Sequence, residues 1–215
     1  MGASWSAPEA PVSMGSLIKP FVMLSYAATH DEFPLFCCGG SRDGCWLAVG
    51  HGRLDVESAL AQSCNAYFSR LAAATDRVSI DAICMSYGLR PPLRTWNTDR
   101  FIGLGVGWPQ SPEGAARAYA RMFDETRADL PGIALVRSGM ARCAAAGTAR
   151  SVAIRCYAKT GTAPCSHMPK GAGDGFTLAI YPIEQPRRVL LVREHNKTGA
   201  DSAAEVGRLI AKVVS

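Results

Sequence analysis

Long apolar runs and blocks of like charge are both absent from this sequence of 215 residues. No stretch approaches the ~18 apolar residues that a membrane span requires. Residues 1–13 also lack the basic segment and the apolar core of a secretory signal, so we expect neither a signal nor an anchor in this chain. The net charge is only +5 and the longest basic run is Arg187-Arg188, which argues against nucleic-acid binding.

The eight cysteines never form CxxC, and no HExxH or paired-histidine spacing accompanies them. A zinc site from Cys38, Cys45 and His51 is conceivable, but the spacing matches no zinc motif, so we expect no metal and no cofactor. A short disulfide loop between Cys38 and Cys45 is the alternative in an exported protein. Three further cysteines lie among apolar residues and are expected in the core: Cys84, Cys143 and Cys156.

The composition, 48% hydrophobic and 19% charged, is that of a globular chain long enough for one domain. Prolines make residues 1–13 an irregular segment, and the domain is expected over 14–215. Apolar periodicity predicts helices at 16–29, 55–73, 78–87, 112–125, 132–146 and 200–214, and strands at 154–163, 176–182 and 188–194. Loops are expected at 33–52 and 88–109. Helices followed by strands indicate an α+β fold rather than alternating βαβ units.

Ser16-Leu17-Ile18-Lys19 is the first of three short motifs that carry chemistry. In the helix predicted here, residues three apart share a face, so the Lys19 amine would lie near the Ser16 hydroxyl. A neutral lysine can remove the hydroxyl proton, and apolar neighbours favour the neutral amine by desolvation. Taken alone the spacing is common, and a surface serine beside a surface lysine explains it better.

Ser63-Cys64-Asn65 interrupts an otherwise apolar helical pattern. Serine and asparagine side chains tend to form hydrogen bonds with the nearby backbone, which disfavours them inside a helix, so their presence here requires an explanation. One explanation is a bend between two helices whose polar pair faces a cleft. The other is the polar face of an exposed helix, and this motif alone does not separate the two.

Lys159-Thr160-Gly161-Thr162 ends a β-rich segment. Along a strand Lys159 and Gly161 share one face, whereas Thr160 and Thr162 share the other. Glycine permits the close approach of a ligand backbone, and a cation with adjacent hydroxyls suits a carboxylate. A second KTG at 197–199 follows the last predicted strand with only a helix after it, and we interpret it as a polar turn.

In this order, the three motifs resemble those of the penicillin-binding protein and serine β-lactamase superfamily. The flanking segments are similar to high-mass transpeptidase domains: GSLIKPF, GHGRLDVESALAQSCNAYF, SGMARCAAAGTA before YAKTGTA, and GDGFTLAIYP. The resemblance covers about residues 14–215. It implies an α+β fold in which an antiparallel sheet is flanked by helices, beside an all-helical subdomain, with the active site at their junction.

The resemblance implies a serine-type D,D-transpeptidase that cross-links peptidoglycan stem peptides ending in D-alanyl-D-alanine and is acylated by β-lactams. It makes Ser16 the nucleophile and Lys19 its base. Ser63 would relay a proton to the leaving group, Asn65 would hold the substrate amide and Lys159 would supply electrostatic stabilisation.

The KTGT strand is expected, by the same resemblance, to bind the substrate. The hydroxyls of Thr160 and Thr162 would hold its carboxylate, and Gly161 would leave room beside the strand. The backbone N–H groups of Ser16 and Thr162 would form an oxyanion hole, the kind of preorganised donor pair that stabilises developing charge.

Three features depart from the family pattern. Ala158 stands where relatives usually have glycine, no anchor is present, and only 15 residues precede Ser16, so we expect the N-terminal sheet strands to be missing. Another chain or domain could supply them, in an extracytoplasmic setting. The alternatives are a β-lactam sensor or non-catalytic relative of the same fold, or a D,D-carboxypeptidase or β-lactamase, although no motif marks a base for a deacylating water.

Overall fold

Helices dominate the first two thirds of the chain and a three-stranded sheet the last third. A computed structural model describes residues 5–93, 95, 97–165 and 173–214. The helices are α1 Lys19–Ala27, α2 Val56–Ala61, α3 Asn65–Ala74, α4 Arg77–Tyr87, α5 Thr98–Phe101, α6 Pro112–Met122, α7 Ile133–Ala146 and α8 Gly199–Val214. The strands are β1 Phe36–Cys38, β2 Gly52–Leu54, β3 Tyr157–Ala163, β4 Asp174–Tyr181 and β5 Arg188–His195.

The three-stranded sheet is antiparallel in the order β3-β4-β5. Every residue of β4 is buried, because both faces of the sheet are covered. On one face Phe176 and Leu178 join the core of the helical part. On the other, Ala179 packs with Ala203 and Val206 of α8. In the described part of the chain β5 pairs only with β4, so its outer edge is open.

The helical part is built around α1, all nine residues of which are buried. A helix that is apolar on all sides is stable only when other elements surround it. The Phe21 ring meets Tyr87 and Tyr119 edge to face, with ring centroids 5.6 and 5.2 Å apart. Since α1 follows Ser16 directly, this packing fixes the position of the first motif.

The α+β class, the antiparallel sheet and the helical part predicted from sequence are confirmed, but two of the predicted helices are wrong in detail. The helix expected over 16–29 starts as a 3₁₀ turn, Gly15–Ile18, and only then continues as α1. The helix expected over 55–73 is two helices, α2 and α3, separated by a bend at 62–64. The bend was one of the two explanations offered for the SCN motif, and it is the one found.

Both predicted loops contain regular structure. The loop at 33–52 includes β1, a 3₁₀ turn at Gly40–Asp43 and the start of β2, which pairs with β1. The loop at 88–109 includes the short helix α5. All eight cysteines are free, Cys38 and Cys45 included. Over the described ranges, no helix combines the length and apolar character needed to cross a bilayer.

Candidate active site

The turn that carries Ser16 packs directly against the backbone of β3. Gly15 has a φ of +57°, and a β-carbon there would lie 2.2 Å from the Thr162 carbonyl oxygen. A β-carbon on Gly161 would lie equally close to the Met14 carbonyl oxygen, at 2.2 Å. Only glycine fits at either position, so the first and third motifs touch through their glycines. Ser16 itself is partly exposed and begins the run into α1.

Lys19, the first residue of α1, is completely buried and points toward the bend between α2 and α3. Its Nζ donates to the Ser63 carbonyl oxygen at 2.8 Å and to Asn65 Oδ1 at 2.6 Å, and lies 3.5 Å from Ser63 Oγ. Burial, and secondly the charge of Lys159, hold the pKa of Lys19 well below its usual value. The amine thus lies in a setting that favours its neutral form.

Ser63 occupies the bend itself, with a φ of +54°. This left-handed conformation is strained for a residue with a side chain and persists only where its surroundings impose it. Asp55 begins the approach to the bend by accepting a hydrogen bond from the Ser58 N–H at 2.7 Å, which caps α2. Asn65 opens α3 immediately after the bend. The Ser63 hydroxyl and the Asn65 side chain on either side of Cys64 both lie beside the Lys19 amine.

Lys159 lies on β3 and, like Lys19, approaches the Ser63 hydroxyl. It too is completely buried, and its Nζ donates to Ser63 Oγ at 3.0 Å and to the Thr160 carbonyl oxygen at 2.8 Å. Burial lowers the pKa of Lys159 from 10.5 to about 8. The Ser63 hydroxyl thus receives one cationic donor and lies beside a second amine.

The threonines of the KTGT strand make hydrogen bonds on the face away from Lys159. Thr160 Oγ1 lies 2.5 Å from Thr148 Oγ1, and Thr162 Oγ1 accepts a hydrogen bond from the Gly199 N–H at 2.9 Å. Thr162 is exposed and Thr160 is buried. Gly199 is the last residue of the second KTG and the first residue of α8, so the start of α8 supports this strand.

Two supporting residues were missed by the sequence reasoning. Tyr119 of α6 is buried, and its hydroxyl donates to the Leu17 carbonyl oxygen at 2.6 Å, inside the Ser16 turn. Thr148 also contacts the third motif, through Thr160. Thr148 lay in the AGTA segment that carried the family resemblance, whereas nothing in the pattern around Tyr119 distinguished it from an ordinary core tyrosine.

Of the predicted site residues, four are joined by hydrogen bonds, and Ser16 lies in a turn that packs on the strand of one of them. Lys19 and Lys159 converge on Ser63, Asn65 binds Lys19, and the Ser16 turn packs on the strand that carries Lys159. Two amines of lowered pKa beside the Ser63 hydroxyl can move protons to and from that hydroxyl.

Comparison with known proteins gives matches among solved structures only. No family model matches the chain, and no curated protein matches it in sequence. The chain is similar to penicillin-binding protein 2 of Pseudomonas aeruginosa in its complex with WCK 5153, with a TM-score of 0.74 and 18% identity. The alignment covers 95% of this chain and 59% of that one.

Two other solved structures give the same result. Penicillin-binding protein 2 of Helicobacter pylori, in complex with MreC, matches with a TM-score of 0.74 and 18% identity over 95% of this chain and 50% of its own. The transpeptidase domain of Burkholderia pseudomallei penicillin-binding protein 3 matches with a TM-score of 0.69 and 18% identity, over 97% and 80% respectively. This chain spans between half and three fifths of the penicillin-binding protein 2 chains. It has the fold of penicillin-binding protein transpeptidase domains.

Proposed function

We propose that this protein is a serine D,D-transpeptidase that acts on the D-alanyl-D-alanine ends of peptidoglycan stem peptides, outside the cytoplasm, and is acylated by β-lactams. The observation that carries the proposal is the convergence of Lys19 and Lys159 on Ser63, beside the turn that bears Ser16. A structural serine would not need two buried lysines, each of which costs desolvation energy.

In the proposed reaction Ser16 Oγ gives its proton to neutral Lys19 and attacks the carbonyl carbon of the penultimate D-alanine. The backbone N–H groups of Ser16 and Thr162 stabilise the oxyanion. The C–N bond then breaks, and the amine of the terminal D-alanine leaves with a proton relayed through the Ser63 hydroxyl. Attack by an acceptor amine on the acyl-enzyme forms the cross-link and frees Ser16.

Substrate binding is assigned to the remaining motif residues. Asn65 would hold the substrate amide once substrate displaces its contact with Lys19, and Lys159 would attract the terminal carboxylate. Thr160 and Thr162 would bind that carboxylate only if their present contacts with Thr148 and Gly199 were shared or exchanged. Gly161 leaves the strand open to a peptide backbone.

Reaction kinetics distinguish this proposal from its alternatives. The protein is incubated with a synthetic stem peptide ending in D-alanyl-D-alanine, with and without an amine acceptor, and separately with a chromogenic β-lactam. A transpeptidase releases D-alanine, joins the acceptor to the peptide and releases the β-lactam acyl group slowly. Release of D-alanine to water alone indicates a carboxypeptidase, and rapid β-lactam hydrolysis indicates a β-lactamase. Acylation without peptide turnover indicates a sensor, and each of these three results rejects the proposal.

A further inference from the structure

Four side chains with metal-binding atoms meet beside the second motif. Cys38 ends β1, Cys45 follows the 3₁₀ turn at Gly40–Asp43, His51 precedes β2, and Cys64 lies at the start of α3. One donor atom from each lies within 4.8 Å of all the others. The fold thus brings three residues of the segment from β1 to β2 next to a fourth residue at the start of α3.

The distances inside this cluster match a tetrahedral zinc site. With Zn–S bonds of about 2.3 Å and Zn–N bonds of about 2.0 Å, a tetrahedron places two sulfurs about 3.8 Å apart and a sulfur and a nitrogen about 3.5 Å apart. Cys45 Sγ lies 3.8 Å from Cys64 Sγ and 3.5 Å from His51 Nδ1. Two thiols in ordinary van der Waals contact, or a disulfide, would not require the histidine ring in this position.

Hydrogen bonding accounts for only one ring nitrogen of His51, since Nδ1 lies 3.5 Å from Cys45 Sγ. Its Nε2 is buried and has no partner among the described residues, although a buried ring nitrogen ordinarily has one. A metal bond at Nδ1 would fix the ring without help from Nε2. The neighbouring Trp46 ring packs edge to face on the histidine, with centroids 5.4 Å apart.

The loop that supplies three of the four side chains is held by backbone hydrogen bonds and by the pairing of β1 with β2, while two of its apolar side chains are exposed. Trp46 is 54% exposed and Val49 is 87% exposed, so apolar burial contributes little to its order. Its path is nevertheless tight: a β-carbon on Gly40 would lie 2.0 Å from the Ala48 carbonyl oxygen, and one on Gly50 would lie 2.2 Å from that of Cys38. Small loops of this kind are commonly ordered by a metal ion.

We propose that Cys38, Cys45, His51 and Cys64 bind one Zn²⁺ ion in a tetrahedral Cys₃His site. Three soft sulfurs and an imidazole favour zinc over the oxygen-seeking cations. All four positions are filled by protein, which is the mark of a structural site, since a catalytic zinc keeps one position open for water. The thiols lose their protons to solvent as they bind the metal.

A metal ion at this site would hold the second motif in place. The proposed acyl-transfer reaction would benefit from that, but the metal proposal stands without the reaction. Cys64 stands between Ser63 and Asn65, and Ser63 has the left-handed backbone conformation. A metal bond to Cys64 tethers this bend to the loop. Removal of the ion should therefore allow the bend to relax and the loop to move.

A second cluster, Cys165, Asp174 and His195, provides the matched control. It offers three donors, and the Asp174 carboxylate already accepts hydrogen bonds from Arg193 and pairs with His195 Nδ1 at 2.8 Å. Hydrogen bonds within the protein therefore already explain the position of the Asp174 carboxylate. A Cys165→Ser variant tests whether any bound metal lies there instead.

The first test measures metal in protein purified without added zinc, by inductively coupled plasma mass spectrometry. We expect about one zinc per chain, lost in Cys38→Ser and in His51→Ala but retained in Cys165→Ser and in Cys84→Ser, a buried cysteine elsewhere in the core. Because a ligand variant could fail to fold, the unmutated protein is also exchanged with Co²⁺. Intense visible d–d bands and a thiolate charge-transfer band indicate a tetrahedral sulfur-rich site.

Hydrogen exchange gives a readout that is independent of any activity. Chelation should increase amide exchange over 39–53 and 62–66 and leave α6 unchanged. The proposal is overturned if the reduced, folded protein binds neither Zn²⁺ nor Co²⁺, if two of these cysteines form a disulfide, or if zinc is lost in Cys165→Ser but not in Cys38→Ser. Loss of acylation in a protein that still binds zinc would reject the proposed function and leave the metal site standing.

Discussion

Lys19 and Lys159 are both fully buried, and both donate to groups of Ser63. Taking an amine out of water disfavours its charged form, so each lysine lowers the stability of the fold while it stays protonated. Proteins retain such a loss of stability where the amines take part in a reaction, and this is why perturbed pKa values cluster at functional sites. The two lysines of the motifs thus also lower the stability of the fold.

The pH dependence of stability measures this burden for Lys159. Unfolded lysine stays protonated up to its usual pKa of 10.5, whereas in the folded protein the pKa is about 8. The folded state is therefore penalised below pH 8, and the penalty disappears as the pH rises from 8 toward 10.5. Relative to Lys159→Met, the wild-type free energy of unfolding should rise over this interval, by at most about 3 kcal/mol.

Denaturant unfolding of both proteins at pH 7 and at several values above 8 is the measurement. Lys19 and Cys143, the titratable groups whose charges interact with Lys159, are present in both proteins. A stability difference that stays constant with pH would mean that Lys159 keeps an ordinary pKa.

The lysines of the two KTG copies, Lys159 and Lys197, can be compared directly by the same substitution. Lys159 is buried against Ser63, whereas Lys197 is exposed in the turn before α8. Lys159→Met should slow acylation by benzylpenicillin by about 10²-fold or more, because the Ser63 hydroxyl loses its cationic donor. Lys197→Met should leave the rate unchanged. Stopped-flow acylation rates decide the matter, and an equal effect of both substitutions would contradict the assignment of the third motif.

The hydrogen-bond partners of Lys19 could not be predicted from the sequence. The motif order picked out Ser16, Lys19 and Lys159, but the helical spacing predicted that Lys19 would reach Ser16. Its hydrogen bonds instead go to Ser63 and Asn65, residues far along the chain. Periodicity describes contacts within one element and says nothing about which distant element lies opposite.

At the scale of elements, α6 supports the Ser16 turn through Tyr119, whose hydroxyl donates to the Leu17 carbonyl oxygen. Tyr119→Phe should lower the free energy of unfolding by about 1–2 kcal/mol, because a buried acceptor loses its donor. Tyr87 is the control: it is buried, its ring also contacts Phe21, and its hydroxyl has no hydrogen-bond partner within 3.5 Å in the described ranges. Tyr87→Phe should be neutral or stabilising. Urea unfolding of the two variants measures both effects, and equal losses would remove the special role of Tyr119.

The outer edge of strand β5 is unpaired in the described part of the chain. Its N–H and C=O groups on that side meet no strand in the described chain, and such edges invite pairing with another chain. We expect one of two outcomes: a strand from another chain or domain pairs there, or the free chain is poorly stable and self-associates. Sedimentation and amide exchange across 188–195 test this expectation. A monomer in which β5 is as well protected as β4 would contradict it.

The elements themselves were largely predictable, since α4, α7 and the three long strands follow clear patterns. Prediction failed where local pattern and tertiary structure conflict. The apolar spacing runs straight through 62–64, yet the chain bends there because Ser63 adopts a left-handed conformation. The glycine-rich loop at 33–52 hid β1 and β2, which are too short to show a period.

At the scale of the whole molecule, the site is made by segments that meet only in the folded state. The Ser16 turn, the α2–α3 bend and β3 come from the beginning, the middle and the end of the chain, and they contact one another across the junction of the helical part with the sheet. The sequence alone could name these segments through the family resemblance. It could not show that Cys64 has Cys45 and His51 as neighbours, because the loop that brings them there carries no zinc spacing.

The central claim, that this site forms an acyl-enzyme at Ser16, is tested most directly by mass spectrometry of the intact protein after exposure to benzylpenicillin. We predict that wild-type protein gains the mass of one intact benzylpenicillin molecule, that peptide mapping places it on Ser16, and that Ser16→Ala remains folded and unlabelled. Lys19→Ala should be acylated about 10²-fold or more slowly, because the hydroxyl loses its base. Labelling of Ser63 or of a cysteine, or no labelling of the folded wild-type protein, would contradict the account.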